Sequence, residues 1–176
     1  MLLRKTNAVI GILTTVLLLG HAISLSVFML SGGSVIKPSA LIPWVLAGLL
    51  VTHAMICMEL AVSSYEGIEK RKCKVYPKMN AATLFQRISG ILLIVFTALH
   101  IAGASGYMTT PKAVHIIIPP LFFTVALAHA AVSTSKAFIT LGIGNTKFIK
   151  IIDVIIKVIC ALTLIAAISA FYLYSV

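Results

Sequence analysis

Histidine occurs at positions 21, 53, 100 and 129, each time well inside a long apolar run. An ionisable side chain in hydrocarbon is expensive and is a functional candidate by default. An interhelical hydrogen bond accounts for one such residue, but four in four successive runs ask for a single explanation. Depths are counted along helices at about 1.5 Å per residue, starting from the end that loop charges assign to the cytoplasm. On this count His21 lies roughly 20 Å deep and His100 roughly 21 Å, while His53 is at about 13 Å and His129 at about 9 Å. The four therefore sort into an outer pair, His21 with His100, and an inner pair, His53 with His129. Each pair joins helices that run in the same direction, first with third and second with fourth. Two imidazoles from facing helices at one level form an axial clamp for a planar metal macrocycle, and bundle interiors hold such groups. Neutral imidazole suits iron and avoids burying a charge. The spacing points to two bis-histidine haems b at levels about 10 Å apart.

The elements that must position these residues follow from composition. Of 176 residues, 60% are hydrophobic and 10% charged, and the mean hydropathy is +1.11. Soluble domains carry roughly 25% charge, so a soluble globular domain is excluded and lipid is the solvent for most of the chain. About 20 residues cross a bilayer as a helix. Five runs meet that length, at 8–30, 40–62, 86–107, 113–135 and 150–174, which predicts an all-α, five-helix transmembrane bundle forming one domain over 1–176. The first run is too long for a signal-peptide core and is read as retained. The net charge is +10, from 14 Lys and Arg against 4 Asp and Glu. Arg4, Lys5, Lys70, Arg71, Lys72, Lys74, Lys78, Arg87, Lys136, Lys147 and Lys150 fall on one side of the five spans, against Lys37 and Lys112 on the other. This bias predicts a cytoplasmic amino terminus and an outer carboxyl terminus. It also accounts for the positive charge without a nucleic-acid partner, and makes the basic loop Ser63 to Phe85 the docking surface for a soluble one. The outer loops Ser31 to Ser39 and Met108 to Lys112 are short, so consecutive spans pack as antiparallel neighbours.

Several features call for packing rather than chemistry. Cys57, Cys73 and Cys160 form no close pair, so no disulfide or zinc framework is implied. Gly11, Gly20, Gly48, Gly90 and Gly103, with Ala47, Ala54, Ala126, Ala128 and Ala130, leave room for a macrocycle or for close helix contact. Asp153 and Lys157 form an i,i+4 pair. Trp44, Tyr107, Tyr172 and Tyr174 suit the outer interface, and Met55 and Met58 read as packing.

The third run opens FQRISGILLIVFTALH from Phe85 to His100, an Arg-x-Ser-Gly followed ten residues after the Gly by His. With one His in each of the first four spans, the chain resembles the cytochrome b membrane anchor of the succinate dehydrogenase and fumarate reductase family, in its single-polypeptide, five-helix, two-haem form. The resemblance covers the whole hydrophobic plan. It implies His21 and His100 as iron ligands of the distal haem, and His53 and His129 as ligands of the proximal one. It further implies a flavoprotein subunit and an iron-sulfur subunit docked on the cytoplasmic face of a prokaryotic cytoplasmic membrane, with electrons exchanged with a quinone, menaquinone on family grounds. The dicarboxylate chemistry would reside on those partners. Arg87, Ser89 and Lys136 are the candidates for haem propionate or quinone contacts, and Thr83 joins Arg87 and Ser89 in family members that bind quinone near the iron-sulfur subunit.

The sequence departs from the family in its acids. Some two-haem fumarate reductases return protons through an outer-side glutamate and another two residues before the fourth haem histidine. Here Ser31 to Ser39 contains no acid and position 127 is Leu127. His115, at the outer end of the fourth span, is the candidate for quinone proton exchange, since imidazole accepts protons near neutral pH. An interfacial His on a helix whose first turns are opened by Pro119 and Pro120 is the competing account. Two other functions remain open from sequence: the cytochrome b anchor of a hydrogenase, formate dehydrogenase or other quinone-linked oxidoreductase, and a metal-ion transporter using the histidines as transient ligands.

Overall fold

The computed structural model describes residues 2–35, 37–70, 81–104 and 112–175, with the side chains of 64–70, 104, 112–115 and 175 outside the description. The described chain is all-helical: α1 (Leu2–Leu30), α2 (Leu41–Lys70), α3 (Ala81–Ala104), α4 (Lys112–Leu141) and α5 (Thr146–Ser175). All five are long and apolar enough to cross a membrane, which makes this a multi-pass membrane protein. The helices continue past the apolar runs read from the sequence. α1 starts at Leu2 rather than Ala8, α2 runs on to Lys70, α3 starts at Ala81, α4 runs to Leu141 and α5 starts at Thr146. A helix does not end where hydrocarbon does, because its hydrogen bonds are internal. The loop expected at Ser63 to Phe85 is therefore helical at both ends, while 71–80 and 105–111 lie outside the described residues.

Where the helices do end, the sequence supplies the stop. After α1, the N–H of Gly33 bonds to the Phe28 carbonyl at 2.9 Å and that of Gly32 to the Met29 carbonyl at 3.2 Å. Gly32 takes a φ of 59°, the left-handed cap that glycine adopts without a Cβ penalty. The same closure recurs after α4, with Ile143 N–H on Phe138 O and Gly142 N–H on Ile139 O, both at 3.1 Å. Asn145 then caps α5, its Oδ1 accepting from the Phe148 N–H at 2.9 Å. The connection between α4 and α5 is thus one tight turn. Pro119 and Pro120 lie inside α4, about two turns beyond its start rather than opening it. The helix continues through them, as membrane helices with neighbours tolerate.

Packing is uneven around the bundle. α1, α4 and α5 form the tight part: Ala22, Phe123 and Ala167 make one buried cluster, and Leu127, Ala130 and Cys160 a second. Alanine at these contacts lets backbones approach, which is how helices associate without a hydrophobic driving force. The first four helices form a ring in which α1 touches α2 and α4, and α3 touches α4. α2 meets α3 along only a narrow contact, and the diagonal pairs α1 with α3 and α2 with α4 do not touch among the described residues. None of the described side chains of α2 is buried.

Candidate functional site

The four intramembrane histidines lie on the four ring helices, and all four are half-buried. His21 on α1 and His100 on α3 are within electrostatic reach of each other, as are His53 on α2 and His129 on α4. Each pair thus spans one diagonal of the ring, between helices that are held apart. The rings are seated differently. His100 stacks on Phe122 of α4, with centroids 5.1 Å apart and planes inclined by 26°. His129 lies against α3: its Nδ1 is 2.8 Å from the Ser89 hydroxyl, and a Cβ built on Gly90 would stand 3.5 Å from its Cε1.

His53 leans on α1. A Cβ on Gly11 would come within 3.3 Å of its Cε1, a distance that only a glycine leaves comfortable. Its Nε2 is 3.7 Å from the Cys57 thiol one turn away, and that thiol in turn faces the Asn7 side chain of α1. Its Nδ1 is buried and makes no hydrogen bond of good geometry, although the ring lies within reach of the Asn7 backbone. Buried imidazole nitrogens normally find one. The hydroxyls of Thr97 and Ser133, each within a turn of a paired histidine, are buried without partners. Most other hydroxyls inside the bundle bond back to their own helices, Thr14 to Ile10 and Thr134 to Ala130 among them, both at 2.8 Å.

At the end of the bundle where α3 begins, Lys136 of α4 donates to Gln86 Oε1 at 2.9 Å and Thr83 Oγ1 at 3.4 Å. Arg87 is exposed beside them. Ser89, the third residue considered for anionic contacts, is instead buried one turn deeper with its hydroxyl at His129. His115 lies in the first turns of α4, and its side chain falls outside the description. Gly20, Gly48 and Gly103 face open space, so of the five glycines picked out in the sequence Gly11 and Gly90 are the ones that sit under an imidazole.

Sequence reasoning passed over four participants. Cys57 carried a signal, since four residues from His53 puts it on the same helix face. Gln86 stands next to Arg87 and had a comparable claim. Asn7 and Phe122 gave none, because their roles depend on which neighbour each helix meets.

The donor set fits a group that needs two axial ligands per level. Among the described residues no three of His, Cys, Asp and Glu come together. A macrocycle brings four of its own. The separated diagonals and the glycine surfaces beneath two rings leave room for such a group. No family model matches the chain, and neither a curated protein nor a solved structure does.

Proposed function

We propose that this protein is a two-haem cytochrome b that anchors a succinate:quinone oxidoreductase in the membrane and passes electrons between an iron-sulfur subunit and quinone. The observation that carries the reading is the arrangement of four histidines as two pairs, each across a diagonal of the ring. When bound, haem supplies a one-electron carrier at each level. His21 and His100 hold the outer one, and His53 and His129 the inner one. Gly11 and Gly90 keep backbone close to the inner rings, and Phe122 orients His100 by stacking. Lys136 and Arg87, at the α3 and α4 ends that loop charge assigns to the cytoplasm, neutralise propionates or a quinone oxygen, as cations do for anionic oxygen in a low-dielectric setting. The basic cytoplasmic face receives the iron-sulfur and flavoprotein subunits, where succinate and fumarate interconvert. Menaquinone is the proposed quinone, and His115 the candidate for exchanging its proton.

The reading is tested by a reduced-minus-oxidised absorption spectrum of the purified full chain with haem quantified per polypeptide. Two haems with distinct potentials are expected, and a colourless, correctly inserted chain overturns the proposal. Co-purification with a flavoprotein supports the succinate assignment. A flavin-free partner reassigns the anchor to another quinone-linked oxidoreductase.

A further inference from the structure

Ser89 is only 2% exposed, at the contact of α3 with α4. Its hydroxyl stands 2.7 Å from the Phe85 carbonyl and 3.3 Å from that of Gln86, both on its own helix, and 2.8 Å from Nδ1 of His129. A hydroxyl has one hydrogen to give and two lone pairs to receive. Serine and threonine hydroxyls inside these helices give their hydrogen to the i−4 carbonyl, as Ser26 and Thr134 do, and Ser89 does the same to Phe85, which leaves its oxygen facing the imidazole as an acceptor. The partner nitrogen must then carry the ring proton. Among the described residues this is the one hydrogen bond the His129 ring makes, so a proton on Nε2 would have no acceptor there. Gly90, the next residue, lies under Cε1 between the two nitrogens, so a single turn of α3 fixes both the tilt of the ring and its tautomer.

We infer that Ser89 is the positioning residue of the inner site, holding His129 with its proton on Nδ1 and leaving the Nε2 lone pair for iron. This rests on the two-haem reading and gives the serine a role distinct from the propionate or quinone contact that its motif implied. A hydrogen bond accepted from the outer nitrogen of a ligating imidazole raises the basicity of the ligand. A more basic ligand favours ferric iron, so loss of the bond raises the potential of the inner haem and leaves the outer one alone.

Two measurements on the full chain test this. Without haem, in lipid bilayers, ¹⁵N spectra of labelled histidine are expected to show His129 protonated at Nδ1, and Ser89→Ala to move protonation toward Nε2. A wild-type His129 protonated at Nε2 overturns the inference whether or not haem binds. With haem, Ser89→Ala is expected to shift one haem's ferrous-to-ferric ratio about tenfold at fixed potential, about 59 mV for one electron, or to lose that haem alone. Ser89→Thr, which keeps the hydroxyl, is expected to restore the wild-type midpoint. Unchanged midpoints, equal shifts at both haems, loss of both haems, or a threonine variant that behaves like alanine overturn it. A wild-type chain that takes up no haem sinks the proposed function, while the tautomer measurement still decides the role of Ser89.

Discussion

A neutral imidazole inside a bundle needs something to fix its direction, and the described histidines use three different means. His129 uses a hydrogen bond, His100 an aromatic face and His53 the bare backbone of a glycine. If the pairs hold iron, single substitutions should act by pairs. His21→Ala and His100→Ala are expected to remove the same haem, with identical residual spectra, and His53→Ala and His129→Ala the other. Residual spectra that match between His21 and His53 variants would break the diagonal pairing. The histidines and the helices that carry them were legible in the sequence, because apolar runs of spanning length mark the helices. The seats were not. That Ser89 meets His129 depends on how α3 is rotated toward α4, and no spacing within either helix encodes that angle.

At the scale of helices, glycine positions that look alike in sequence have different tasks. Gly11 and Gly20 lie on one helix, yet a Cβ at Gly11 meets the His53 ring at 3.3 Å while one at Gly20 meets nothing within 4 Å. Gly11→Ala is expected to overpack the inner level, at a cost of about 1–3 kcal/mol, and to weaken inner haem retention. Gly20→Ala should gain slightly from the helix preference of alanine. Haem content measured across a thermal melt of each variant checks this, and equal effects would remove the Gly11 assignment. The five elements were read correctly from the apolar runs, but the starts of α1, α3 and α5 and the ends of α2 and α4 were read short. Hydropathy reports the thickness of the hydrocarbon, whereas Gly32, Gly142 and Asn145 set the ends of the hydrogen-bonded ladder. The end of α1 at Leu30 could be read from the sequence, and was. The extension of α2 to Lys70 could not, since its last turns are polar and lie beyond the lipid.

For the molecule as a whole, the two halves of the ring differ in firmness. α1, α4 and α5 share the buried clusters, whereas α2 buries none of its described side chains and holds α3 only along a narrow contact. A helix so lightly held should respond to whatever fills the ring. Cys57 on α2 is exposed and Cys160 on α5 is buried, which provides a reporter and its control. In a Cys73→Ser background, a lipid-permeable maleimide is expected to modify Cys57 several times faster in haem-starved membranes than in haem-replete ones, with Cys160 unreactive in both. Equal rates would mean that α2 is fixed independently of any cofactor. The same narrow seam sets a sequence of construction. A flat tetrapyrrole cannot slip between helices already in close contact, so it has to be received while one wall stands ajar. If the ring takes up haem, the α2–α3 side, where the described residues meet least, is where a pigment from the bilayer would enter and the wall that would close last.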